Sequence, residues 1–245
     1  MIQMIEELSL NSWPSVQTLM YDGWVLRFAN GFTKRSNSVS PLYGSSLDIE
    51  EKIRFCERSF RNKGQTPVFK ITPAVFPGNL DKILENKGYI IDSPTSVQTL
   101  ELNSFAMSPS QKARLSGKYS EKWLKGFCSL SLITGLYNHI KAILINIVPD
   151  VCYASLPATE TGNIVSYGLG VLQGTYLALY DIVTDRDYRN RGFGREIVLN
   201  MLKWGKTRGA KTAYLHVMHD NAPALKLYSN LGFKEIYSYW YRIKE

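Results

Sequence analysis

Cysteine and histidine are scarce, with three of each in 245 residues. Cys56, Cys128 and Cys152 are odd in number, widely spaced and without a C-x-x-C pair. Disulfides and a cysteine zinc site are therefore not expected, and each thiol reads as inert and half-buried. The stretch "MIQMIEELSLNSW" carries acidic residues and no basic-then-apolar run, so it does not read as a signal peptide. No apolar run approaches the roughly 18 to 20 residues that cross a bilayer, and "AILINIV" (142–148) is far too short. The expectation is a soluble, cytoplasmic protein with no membrane and no metal. Two phosphate-binding signatures also fail: no G-K-S/T follows the glycine pair at 192 and 194, and position 197, where a third glycine would stand, is Ile.

What is present describes a folded chain: 44% of residues are hydrophobic and 12% aromatic, against 20% charged. That length forms one large domain or two of about 100–150 residues. The net charge of +8 suggests an anionic partner, but it is unevenly placed. Residues 1–105 carry eleven basic and eleven acidic side chains, whereas 106–245 carry eighteen and ten. Within the second half, 186–211 has eight basic against two acidic, and the helix-like 112–125 five against one. A local basic face suits a small polyanionic ligand better than a long duplex, so nucleic acid is not the expected partner.

The polar, Ser-rich stretch 103–118 separates two halves with a similar order of elements. In the second, "NIVSYGLGVLQG" and "TYLALYDIV" read as a hairpin, 192–208 as an amphipathic helix and "TAYLHVM" as a buried strand. A helix at 221–231 and a strand at 233–243 follow. In the first, "DGWVLRFANG" and "FTKRSNSV" read as a hairpin, 48–62 as a helix, "PVFKIT" as a strand, 78–87 as a helix and "YIIDSPTSVQTLEL" as extended. "RNKG" matches "KTRG", and "NKGY" matches "NLGF", at offsets of 145 and 144 residues. The pattern predicts two related modules, 1–105 and 119–245, joined by a linker at 106–118. Where the second half has "RNRGFG" and Tyr228, the first has "SPLYGSS" and Leu84, so the chemistry belongs to the second.

A strand that ends in a Gly-rich turn opening a helix leaves unpaired N–H groups at the helix start. With the helix dipole, these donors bind anions, phosphate above all. Gly192 and Gly194 let a ligand approach the main chain, and Arg189, Arg191 and Arg195 add charge-assisted donors. On these residues alone, a tight turn with a solvated basic rim is an equal reading. Further on, Asp220 or Asn221 caps a helix, Pro223 fits its first turn and Gly232 ends it. Asn221 and Tyr228, two turns apart, share a face.

Together the two stretches resemble the GCN5-related N-acetyltransferase (GNAT) superfamily. Its R/Q-x-x-G-x-G/A signature is met by Arg189-Asn190-Arg191-Gly192-Phe193-Gly194, and its N-x-x-A-x-x-L-Y-x-x-L-G-F signature by Asn221, Ala224, Leu227, Tyr228, Leu231, Gly232 and Phe233. The resemblance covers most of 119–245, and the first half resembles a degenerate copy, as in tandem GNAT proteins. It implies an α/β (α+β type) fold of two GNAT-like modules, each a mixed, mostly antiparallel sheet flanked by helices. It also implies that main-chain N–H groups from Arg191 to Arg195, with Gly192, Phe193 and Gly194 between them, hold the pyrophosphate of acetyl-CoA. Ile182, Val183 and Thr184 would pair with the pantetheine arm, Asn221 would contact the cofactor, and Tyr228 would stand near its sulfur.

The chemistry suits those groups. A phenol, with an ordinary pKa of about 10, can protonate a departing thiolate, which makes Tyr228 the expected general acid. A strand N–H such as that of Val183 can stabilise charge on the thioester oxygen. Asp181 is the nearest candidate base, with a structural acceptor as its other reading. His216 and His219 read as a strand and a loop residue. The expected activity is acetyl transfer from acetyl-CoA to a primary amine of a small molecule or peptide by direct attack, in a monomer or homodimer. The alternative is a non-catalytic acyl-CoA-sensing or nucleic-acid-binding protein on the same scaffold.

Overall fold

A computed structural model of the chain describes residues 1–133 and 135–244. From the N-terminus it runs α1 (Ile2–Ser12), β1 (Gln17–Tyr21), β2 (Trp24–Phe28), β3 (Val39–Pro41), α2 (Ile49–Arg61), β4 (Val68–Ile71), α3 (Leu80–Asn86) and β5 (Ile90–Glu101). Then come β6 (Arg114–Ser116), α4 (Glu121–Ser131), α5 (Tyr137–Leu144), β7 (Asp150–Pro157), β8 (Ile164–Gln173) and β9 (Tyr176–Thr184). The last elements are α6 (Phe193–Thr207), β10 (Thr212–Met218), α7 (Ala222–Asn230) and β11 (Lys234–Ile243). The fold is α/β of the α+β type, with mostly antiparallel strand pairs flanked by helices.

Two compact units divide it: Met1–Ser96 with the chain from Tyr237 onward, and Val97–Ile236. This division differs from a linker at 106–118. Most of β11 completes the first unit, antiparallel to β4 with Trp240 opposite Ile71. The polar run before β6 is tied down in the second unit. Ser110 and Gln111 donate their N–H groups to Glu196 Oε2 at 2.7 and 3.0 Å, and Ala113 donates to Asn200 Oδ1 at 3.0 Å. Glu196 and Asn200 lie one turn apart on α6, so one helix face satisfies the main chain of a stretch whose composition reads as linker.

In the first unit the hairpin is made by β1 and β2, not by "DGWVLRFANG" with "FTKRSNSV". Asp22 and Gly23 take φ of 40° and 81° between Tyr21 and Trp24, the left-handed pair that a two-residue hairpin turn requires. Most of "FTKRSNSV" is loop, held by Asn37 Oδ1, which accepts the N–H groups of Ala29 and Gly31. Helix α2 starts at Asp48, whose carboxylate accepts from the N–H groups of Glu50 and Glu51. Its Ile53, Cys56 and Phe60 follow the three-to-four spacing of an amphipathic helix and pack on Trp24, Leu26, Phe69 and Ile71.

Asp81 accepts hydrogen bonds from Arg242 Nε and Trp240 Nε1, each at 2.8 Å. The Arg242 guanidinium is the main reason its carboxyl lies below the ordinary value. A depressed folded pKa stabilises the native state above the unfolded value of about 3.9, and this is lost as pH falls through the folded value. Asp81→Asn is therefore expected to lower Tm at neutral pH and to flatten its fall below about pH 5, as followed by thermal melts across pH.

The second unit has the strand order β5-β10-β9-β8-β7-β6. One face carries α6, whose Ile197, Val198, Met201 and Leu202 are buried against Leu177, Leu179, Ala213 and Leu215. The other carries α4, where Trp123 stacks on Phe127 at 5.4 Å and meets Tyr153 and Tyr167 edge-on. Gly126 allows this approach, because a Cβ there would lie 1.9 Å from Tyr167 Oη and 2.4 Å from its Cζ. Gly126→Ala should cost about 1–3 kcal/mol in urea unfolding, and adding Tyr167→Phe should recover part of it by removing the nearest atom.

Candidate active site

The site begins where a strand pair ends. β9 and β10 pair in parallel only from Tyr176/Thr212 to Leu179/Leu215, although β9 continues to Thr184 and β10 to Met218. On its other side β9 stays paired with β8, with Val183 opposite Tyr167 and Thr184 opposite Ser166. Between the Val183/Tyr167 and Tyr180/Leu169 rungs, Asp181 and Ile182 together face Gly168 in a bulge, and Asp181 takes a left-handed φ of 53°. A bulge bends a strand and re-aims its side chains. Here it falls where β9 leaves β10.

The link to α6 is short and well specified. Asp185 caps a single 3₁₀ turn by accepting from the Asp187 N–H, and Arg189 Nε reaches back to the Thr184 carbonyl at 3.3 Å. Gly192 then enters α6 at φ 88°, a region glycine adopts freely, and no side chain caps the helix. A Cβ at Gly192 would meet nothing within 4 Å, so conformation, not space, calls for glycine there. At Gly194 a Cβ would make ordinary contacts, 3.4 Å from Thr184 Oγ1 and 3.6 Å from Leu227 Cδ2, so a side chain there would point into the cleft wall without a clash.

Opposite lies α7. Asn221 Oδ1 caps it by accepting from the Ala224 N–H at 3.2 Å, and Pro223 sits in its first turn. Tyr228 is 8% exposed, its ring edge-on to Phe233 at 5.8 Å. Between these walls is a cleft of about 530 Å³. It gathers Ile182, Val183, Thr184, Arg189, Gly192, Gly194, Arg195, Asn221 and Tyr228 from the residues the sequence picks out. Tyr188, Asn190, Pro223, Ala224 and Leu227 lie on the same walls; the last four stand in the quoted motifs without a ligand role, and Tyr188 stands outside them. Ala224 and Leu227 precede Tyr228 by four residues and one, so the helical repeat that grouped Asn221 with Tyr228 could have found Ala224.

Three residues stand apart from this lining. The Phe193 side chain is 4% exposed in the core, so only its main chain is available to a ligand. The Arg191 guanidinium lies 5.2 Å over the Tyr188 ring. Asp181 faces the side of the sheet that carries α4. There burial, with the Asp181 charge second, pushes the Tyr153 phenol up to about 12, and the same causes raise the Cys128 thiol. His216 is on β10 beside Tyr214, and His219 lies 3.8 Å from Glu235. Among the described residues, no group of three or more His, Cys, Asp or Glu could hold a metal ion, and no helix is long and apolar enough to cross a membrane.

Residues 1–242 match the family described as "Probable histone acetyltransferase Rv0428c C-terminal". The chain belongs to this family and is a GCN5-related N-acetyltransferase. It is 28% identical over 251 residues to the uncharacterized N-acetyltransferase YobR of Bacillus subtilis strain 168, covering 99% of this chain and 98% of that one. Over 83 residues it is 30% identical to the [ribosomal protein bS18]-alanine N-acetyltransferase of Escherichia coli K12, 34% of this chain and 56% of that protein. Among solved structures, a GCN5-related N-acetyltransferase from Kribbella flavida superposes with a TM-score of 0.71 at 13% identity, covering 99% of this chain and 95% of the other. A tandem GNAT protein from the clavulanic acid biosynthesis pathway gives 0.68 at 11%, covering 98% and 87%. At such identities the structural likeness is one of fold. The cleft lined by the α6 start and Tyr228 lies where strands β9 and β10 part.

Proposed function

We propose that the Val97–Ile236 unit transfers the acetyl group of acetyl-CoA to a primary amine of a small molecule or peptide. The observation that carries this reading is that Tyr228 and the uncapped, arginine-flanked start of α6 line one cleft. The residues present fit such a ligand. Gly192 and Gly194 keep side chains off the first turn, so its N–H groups can meet a pyrophosphate, with Arg189 and Arg195 at the rim. Ile182 and Thr184, beyond the last β9–β10 pair, turn main-chain groups to that edge, where they can bind an extended amide chain, whereas those of Val183 face Tyr167 on β8.

Acetyl-CoA, when bound, supplies an acetyl group activated as a thioester. Tyr228 Oη then holds the proton that the departing sulfur needs, and a β9 N–H on the open edge, that of Ile182 or Thr184 in place of the expected Val183, donates to the carbonyl oxygen as it gains charge. Asn221 contacts the ligand from the start of α7. Asp181, off the cleft lining on the same strand, takes the proton of the amine through water. Asp181→Asn should lower kcat/KM about tenfold or more and change the acid limb of its pH profile. An unaltered profile would assign Asp181 to structure alone.

The Met1–Ser96 unit has "SPLYGSS" and Leu84 where these motifs would stand, so transfer is assigned to the other unit. The match to a ribosomal-protein-alanine N-acetyltransferase supports an amine acceptor. The test is thiol release from acetyl-CoA across polyamines, amino acids, aminoglycosides and peptide N-termini. Acceptor-dependent release is expected. Tight acetyl-CoA binding without release on any acceptor would favour a non-catalytic acyl-CoA sensor.

A further inference from the structure

The second unit ends its sheet at β6, which pairs with β7 on one side only, with Arg114 opposite Ser155 and Ser116 opposite Tyr153. An outer strand presents main-chain N–H and C=O groups to solvent, and natural edges are commonly guarded by charge. Here that charge is of one sign and lies on both faces of the strand. On the α6 side is a hollow of about 470 Å³ whose ionic lining is Lys112, Lys203 and Arg208. On the α4 side is a second, of about 230 Å³, with Arg114, Lys118 and Lys122. All six side chains are exposed, and neither lining contains a carboxylate. The nearby Glu196 is already engaged by the Ser110 and Gln111 N–H groups and by Arg195. Leu115, 41% exposed at the middle of β6, lines both hollows.

The geometry points to β6 as a docking edge for an acidic, extended polypeptide that adds a strand to the sheet. A strand's side chains alternate between faces, so successive acidic residues of the added strand would reach the two cationic hollows in turn, while its main chain pairs with β6. A nucleic-acid backbone has no such alternation and would use one face. A second copy of this edge is disfavoured by its own cations. The site lies apart from the acetyl-transfer cleft and does not depend on that reading: none of the six cations lines the cleft.

The test uses the full chain and a fluorescein-labelled octapeptide in which pairs of Glu alternate with pairs of Thr, so that neighbouring glutamates face opposite sides of the strand, read by fluorescence anisotropy. Saturable binding that weakens as salt rises is expected. Lys203→Glu and Lys118→Glu, one in each hollow, are each expected to weaken it about tenfold with the far-UV circular dichroism unchanged. A copy of the peptide with all of its amides N-methylated should lose binding, because neither edge of the strand then has the N–H groups that pairing needs. The proposal is overturned if the peptide fails to bind, if the methylated copy binds equally, if only one of the two charge reversals has an effect, or if a single-stranded 20-mer RNA binds more tightly than the peptide.

Discussion

Tyr228→Phe is expected to lower kcat about 10²-fold or more, some 2.7 kcal/mol of transition-state stabilisation, while changing acetyl-CoA affinity less than about threefold. The substitution keeps the ring that packs edge-on to Phe233 and removes only the hydroxyl. The wall of the cleft and the end of α7 should therefore persist, and the change in folding stability should stay within the roughly 1 kcal/mol typical of one hydrogen bond. A group that acts on the leaving sulfur affects kcat and kcat/KM together, because its interaction develops only in the transition state. Steady-state kinetics with calorimetric acetyl-CoA titration separates the two. Equal turnover would remove Tyr228 as the acid. A parallel loss of affinity and turnover would make it a packing residue of the cleft.

Much of that site could be read in the sequence because its signals are local. The helical repeat in 192–208 and the apolar run "TAYLHVM" correspond to α6 and β10, and Asn221, Pro223 and Gly232 punctuate α7 as their chemistry requires. The side of the sheet that Asp181 serves was not legible. A left-handed residue in a bulge breaks the two-residue alternation on which strand faces are assigned, and its cause lies in the partner strand. Helix α1 was hidden for another reason: Glu6 sits on its buried face, held by Lys70 at 2.5 Å and the Tyr237 hydroxyl at 2.6 Å. A buried charge whose partners are 64 and 231 residues away spoils a hydrophobic pattern and leaves no local substitute. The place of β11 depends equally on distant pairing with β4, about which its own alternating aromatics say nothing. The first-unit hairpin is different. Its Asp-Gly turn was present in the sequence as a local signal and was read as the start of a strand.

Gly192→Asp separates two effects of one carboxylate and should reduce acetyl-CoA affinity at least about 100-fold, or 2.7 kcal/mol. At φ 88° an L-residue is strained by about 1–2 kcal/mol, yet its Cβ would touch nothing. Gly192 is also the N-cap of α6, a position where aspartate stabilises helices by accepting the free N–H groups of the first turn. Strain and capping oppose each other, so Tm should shift by only a few degrees. The same capping consumes the donors assigned to pyrophosphate and puts negative charge where a second anion would bind. Gly192→Asn shares the shape and much of the capping but lacks the charge, and asparagine tolerates left-handed backbone better than most residues. It should lose less affinity than the aspartate. Calorimetric titration of the three proteins with acetyl-CoA decides the matter. An order of Gly above Asn above Asp, at nearly constant Tm, supports the placement at the α6 start, and an aspartate variant that binds as well as the parent chain refutes it.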